Sequence, residues 1–146
     1  MPLPEFNENG DLPPGVHGAS WTEVVNRLGG SPGQRDVCTR RLAHVLELAR
    51  RTACLQRFVV FGSYVTAKAY PNDVDVILIM DDAFRLEHCP MESRALFDHP
   101  IAQARYGASV FWIRPGLLIG ETVADFIEYW QIKRGGGQRG IVEIKL

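Results

Sequence analysis

Two aspartates two residues apart, Asp73 and Asp75, stand at the head of an apolar run that reads Val-Asp-Val-Ile-Leu-Ile-Met from Val74 to Met80. Alternate residues of a strand share a face, so both carboxylates point the same way, while Val74 and Val76 point into the core. Two carboxylates held that close repel, and keeping both ionised calls for a cation. A hard divalent ion, Mg2+ or Mn2+, prefers oxygen ligands and meets that need. Upstream, Phe58-Val-Val-Phe61 is a short apolar run ending in Gly62-Ser63. A glycine at such a strand end lets backbone approach a ligand closely, and the amides and hydroxyl that follow can donate to phosphate oxygens. Lys68, between the two halves, is within reach of a phosphate. The combination describes a site for phosphoryl or nucleotidyl transfer. Gly62, Ser63 and Lys68 would hold a triphosphate, and Asp73 and Asp75 would hold the metal that stabilises in-line displacement.

The elements that must position these residues follow from periodicity. Residues 1–18 carry Pro2, Pro4, Pro13 and Pro14 with Gly10, Gly15 and Gly18, a density that predicts an extended lead-in without regular structure. Ser20-Trp-Thr-Glu23 reads as a capping box opening a short helix to about Leu28, stopped at Gly29-Gly30. A longer helix follows Ser31-Pro32, with Val37, Leu42, Val45, Leu46, Ala49 and Ala53 on one stripe. Phe58–Phe61 and Val74–Met80 read as buried strands, residues 91–104 as a helix, and Ser109–Ile113 as a third strand. A helix over Glu121–Lys133 and a last strand at Ile141–Ile144 complete the order. Strands and helices do not alternate cleanly. The expectation is therefore an α+β fold, a small mixed β-sheet flanked by helices, with residues 19–146 forming a single domain.

Composition bounds the function. The chain has 146 residues, with Lys plus Arg 16 against Asp plus Glu 17, a formal charge of −1. Strong non-specific nucleic-acid binding is not expected, because that rests on clustered positive charge across the chain. The charge is nevertheless segregated: residues 71–100 hold seven acids and two bases, while residues 35–57 hold six arginines and two acids. Cys38, Cys54 and Cys89 have no metal-knuckle spacing. The N-terminus does not read as a signal peptide, and no apolar stretch approaches the roughly 20 residues of a membrane span. A cytoplasmic protein with no membrane association is the expectation. The four histidines show no ligand spacing, Phe111, Trp112 and Trp130 read as core, and Gly135–Gly140 reads as a hairpin connection rather than a P-loop.

The central motif resembles the signature of the nucleotidyltransferase superfamily, an apolar residue and Gly-Gly or Gly-Ser, then about ten residues on an Asp-x-Asp/Glu pair among apolar residues. Here it stands as Phe61-Gly62-Ser63, nine residues, and Asp73-Val-Asp75-Val76. The similarity is greatest to the minimal, single-domain nucleotidyltransferases of prokaryotes. The opening Phe6–His17 and closing Arg139–Ile144 resemble an uncharacterised prokaryotic branch. The resemblance implies a polymerase β-like fold, a divalent metal, and a nucleoside triphosphate donor, taken as ATP. It implies transfer of the nucleoside monophosphate to a hydroxyl, with a co-encoded partner protein, as in toxin–antitoxin systems, or a homodimer supplying the acceptor side. It also implies a third carboxylate on a later strand, where Ser109 stands. Serine is a weak ligand and a poor proton acceptor, so Glu143 is the candidate to complete the catalytic set with Asp73 and Asp75. The alternative is a weakened binding or regulatory module without turnover. Arg105, Arg114, Lys133, Arg134 and Arg139 are candidates for the acceptor side. Only 33 residues follow Ile113, which leaves no room for a helical acceptor domain.

Overall fold

The computed structural model describes residues 2–30 and 33–146. Among these, five strands and five α-helices occur: β1 (Val16–Ala19), α1 (Trp21–Leu28), α2 (Gly33–Arg50), β2 (Leu55–Phe61), β3 (Val74–Met80), α3 (Met91–Arg94), α4 (His99–Tyr106), β4 (Ala108–Ile113), α5 (Val123–Tyr129) and β5 (Ile141–Ile144). The start signal Ser31-Pro32 lies outside the described residues. The strands form one mixed sheet in the order β1-β5-β2-β3-β4. β2 runs antiparallel to β3 and β5, whereas β3–β4 and β1–β5 are parallel. The expected mixed sheet flanked by helices is thus present.

The two faces of the sheet are covered differently. Val74, Val76, Leu78 and Met80 of β3, with Phe58 and Val60 of β2, join the larger core together with Leu42, Val45 and Ala49 of α2. The opposite face carries Val59, Ile77, Ile79 and Ile141, which pack against Ile127, Val123 and Phe126 of α5. Because β3 is covered on both sides, its sequence is a continuous apolar run rather than an alternating one. Asp75 is the single incompletely buried residue of that strand. It occupies the α5 face at the point where α5 ends.

Three expectations are corrected. The lead-in over residues 1–18 is not free of regular structure: Val16–Ala19 form β1, paired in parallel with Ile141–Ile144, so the boundary drawn at residue 19 cuts a strand. Its ladder partner lies over 120 positions away, which no local pattern announces. Leu3 and Leu12 are buried in the main core. The helix expected over 91–104 is broken, because Asp98 caps a new helix through Ile101 N–H and Pro100 follows. The capping box at Ser20 is half formed. Ser20 Oγ accepts from Glu23 N–H at 3.1 Å, but the Glu23 carboxylate accepts from the Leu3 amide instead, binding the lead-in to α1.

Candidate functional site

The turn after β2 is built on one glycine. Gly62 has φ +78°, and a Cβ placed there would lie 2.1 Å from Asp75 Oδ2. Phe61 pairs with Asp75 across the β2–β3 ladder, so the carboxylate rests directly over the turn. Any side chain at position 62 would occupy the carboxylate's place. Gly62→Ala is therefore expected to destabilise the protein by about 2–4 kcal/mol, from left-handed strain plus displacement of Asp75. Thermal melting against the wild type checks it. A variant that melts like the wild type refutes this account of the turn.

Beneath the turn lies a buried guanidinium. Arg35 of α2 donates from Nη1 to the carbonyls of Leu28 (2.8 Å) and Tyr64 (2.9 Å), from Nη2 to Thr66 and Lys68 (2.6 Å), and from Nε to Lys68 (3.1 Å). It is 7% exposed and has no carboxylate partner among the described residues. A delocalised, planar fork satisfies several carbonyls of one irregular loop, which backbone ladders cannot do. Tyr64 adds a 2.6 Å hydroxyl contact with Thr39 of α2. The loop that carries Gly62 and Ser63 is thus hung on α2 from below. This positioning residue has a trace in the sequence, since Arg35 falls on the same helical stripe as Cys38, Leu42, Val45 and Ala49.

Asp73, one residue before β3, and Asp75 line one cavity of about 970 Å³ with Gly62 and Ser63. Asp75 is pushed up from 3.8 to about 6, by burial first and by Asp73 second; a hydrogen bond from Ser109 and the charges of Arg139 and Arg134 oppose the rise. Asp73 is more exposed and lies 3.9 Å from Arg41 Nη1. Ser109 is directly across the parallel β3–β4 ladder from Asp75. The place beside the pair is filled by the Ser109 side chain rather than by a third carboxylate.

Lys133, Arg134 and Arg139 form the basic rim of the same cavity, and Phe61, Phe111 and Trp130 form its aromatic wall, with Trp130 4.8 and 4.6 Å from the two Phe rings. Of the three aromatics expected in the core, only Trp112 lies in the main one, against Phe84 and Phe97. His99, with no ligand spacing in the sequence, also lines the cavity. The rim is held by the lead-in. Buried Asp11 accepts from Lys133 Nζ at 2.8 Å and lies 3.7 Å from Arg139 Nη1. Gly10 O accepts from Ala67 N–H, and Leu12 O from Gly140 N–H, both at 2.8 Å. Residues 10–12 therefore tie the Gly-Ser loop to the basic rim.

Two expected site residues are placed elsewhere. Glu143 does not join Asp73 and Asp75. It lies on β5, which β2 separates from β3, and it receives Arg57 Nε at 3.0 Å and Nη2 at 2.5 Å. The strand order decides this, because Glu143 would need to neighbour β3 to reach the pair. Lys68 does not line the aspartate cavity; it lines an adjoining cleft that shares Ser63, Lys133 and Arg139 with it. Arg114 donates to Phe84 O, away from the pair, and Arg105 lines a separate cleft.

The residues present fit a divalent ion only in company with a ligand. Among the described residues no three Asp, Glu, His or Cys side chains gather into a cation cage. Yet Asp75, largely buried beside Asp73, is disfavoured as an anion and would be relieved by a cation. Mg2+ is commonly held by one or two carboxylates plus water and substrate phosphates, a donor set to which this pair would contribute the carboxylates.

The fold and site define a mixed α/β protein whose five-stranded sheet carries a carboxylate pair against a glycine turn. The family model described as "Family of unknown function (DUF6932)" matches residues 4–145, and the chain belongs to that family. Comparison with curated proteins and with solved structures finds no match.

Proposed function

We propose that the protein is a nucleotidyltransferase-like protein with a polymerase β-like arrangement, which binds a nucleoside triphosphate with Mg2+ and transfers the nucleoside monophosphate to a hydroxyl acceptor. The observation that carries this reading is the convergence in one cavity of the Gly62-Ser63 turn, both aspartates and three basic residues from 133–139. The Ser63 hydroxyl and the amides heading the turn would donate to phosphate oxygens. Lys133, Arg134 and Arg139 would neutralise the remaining phosphate charge. Asp73 and Asp75 would hold the metal, which when bound would stabilise the negative charge on the phosphate oxygens. The acceptor oxygen forms a bond to the α-phosphorus, the bond from that phosphorus to the bridging oxygen breaks, pyrophosphate leaves, and the hydroxyl proton passes to water. The acceptor would be a hydroxyl of a partner protein, of a second copy of the chain, of a small molecule or of an RNA end.

A second reading, a nucleotide-binding module without turnover, is favoured by Ser109 in place of a third carboxylate and by the commitment of Glu143 to Arg57. Calorimetric titration with Mg·ATP tests the shared part: the wild type binds, and Asp73→Ala weakens binding at least tenfold. Unchanged affinity in that variant sinks both readings. Incubation with α-labelled ATP separates them, since labelled protein or small-molecule product requires transfer.

A further inference from the structure

On the α2 side of Asp73 a second cleft opens, about 570 Å³ in volume, between α2 and the C-terminal end of α4. Its chemistry is carried by Arg40, Arg41 and His44 of α2, Gln103 and Arg105 of α4, and Asp73. Three arginines and one carboxylate thus line the same cleft, and Arg41 Nη1 lies 3.9 Å from Asp73. Asp73 and Gln103 also line the cavity of the aspartate pair, so the two spaces meet at that carboxylate.

Arg41, though partly exposed, is held at the cleft by its contacts. Its Nη1 donates to Asn72 O at 3.1 Å and lies 3.9 Å from Asp73. Its guanidinium lies against Gly107, where a Cβ would stand 2.6 Å from Nε and 2.8 Å from Cζ. Gly107, at φ +63° after α4, therefore provides both the left-handed turn and the space for the guanidinium. Arg105 has no ion-pair partner among the described residues. Arg40 pairs with Asp36, but both side chains are strongly exposed, so that pair is weak and opens readily to a competing anion. Planar guanidinium forks lining one recess suit the oxygens of a phosphate group, which such forks grip in bidentate fashion.

We infer that this cleft binds the phosphate group of a second ligand, a phosphomonoester or phosphodiester, whose neighbouring hydroxyl it directs toward Asp73. The role as acceptor site rests on the proposed transfer reading; the binding of phosphate does not. The mononucleotide and the nucleic-acid strand end share this chemistry, and the cleft's charge lies in side chains that a near-neutral chain total conceals.

The test uses the full chain, with adenosine 5′-monophosphate, a five-nucleotide RNA and unphosphorylated adenosine as probes. A saturating non-hydrolysable Mg·ATP analogue is present to fill the first cavity where it binds. At least one phosphorylated probe binds, and adenosine does not. The charge reversal Arg40→Glu/Arg105→Glu weakens that binding at least tenfold, while Mg·ATP affinity changes less than twofold. Tighter binding of the RNA with a steeper salt dependence identifies a strand; equal binding identifies a mononucleotide. Both side chains are exposed, and the alanine pair replaces the glutamates if the melting temperature falls. Equal binding of adenosine, no binding of either phosphorylated probe, or binding unaffected by both double variants overturns the proposal. Failure of Mg·ATP to bind the wild type counts against the transfer reading alone, because the cleft is then scored on the charge-reversal arm without the analogue.

Discussion

Asp75→Asn is expected to make the ligand-free protein more stable above neutral pH while abolishing the metal-dependent nucleotide binding proposed for it. Asp75 is raised from 3.8 to about 6, chiefly by burial. The folded state therefore holds this proton more tightly than the unfolded chain does. Its contribution is unopposed below pH 4, declines as pH rises toward 6, and is fully unfavourable above that. The displacement corresponds to about 3 kcal/mol against folding once the carboxylate is ionised. Asparagine keeps the shape, removes the charge and relieves the repulsion with Asp73. At pH 8 the variant should melt about 6–10 °C above the wild type, a difference that vanishes near pH 4. The same change removes one of two carboxylates available to a cation, so Mg·ATP affinity should fall at least a hundredfold, about 3 kcal/mol. A pH series of thermal melts with a parallel titration decides it. A lower melting temperature at pH 8, or unchanged Mg·ATP affinity, contradicts this account. Stability gained at the expense of binding is what a strained functional group gives and a structural one does not.

Arg35→Ala is expected to cost about 4 kcal/mol or more, lowering the melting temperature by about 10–15 °C. The side chain donates to the carbonyls of Leu28, Tyr64, Thr66 and Lys68 from a position 7% exposed. Truncation leaves several of those acceptors without a donor in a space only partly open to water, and unsatisfied buried groups carry the larger share of such losses. Arg35→Lys should recover less than half, because one ammonium cannot reach acceptors spread across the fork. Denaturant unfolding measures both variants, and a loss below 1 kcal/mol for alanine refutes the role. Because Tyr64 and Thr66 stand one and three residues after Ser63, the lysine variant should also weaken the proposed Mg·ATP binding even at temperatures where it is fully folded.

Much of the secondary structure was legible because it rests on local patterns. The continuous Val74–Met80 run announced a strand buried on both faces, and the stripe of α2 announced a helix against a core. Ser63 and Asp75 were legible as site candidates because glycine, hydroxyl and carboxylate stood at strand ends, where chains expose backbone. Other features depended on partners distant in sequence. β1 is Val-His-Gly-Ala, without alternation, and exists because β5 offers it a parallel edge. Asp11 looked like one acid in a proline-rich lead-in, and its role as the anchor of Lys133 and Arg139 requires the chain ends to meet.

By itself, the sequence determined the strand–turn–strand unit from Phe58 to Met80 and the pairing of two carboxylates with a glycine turn, since spacing and side-chain period suffice for that. The tertiary structure alone decided which residues surround the pair. Strand order put Ser109 against Asp75 and carried Glu143 two strands away to Arg57, and the packing of α2 under the loop placed Arg35 and Arg41 on two sides of the site. The physical reason is that neighbours across a sheet are set by the burial of whole faces, a property of the assembled chain that no window of residues contains.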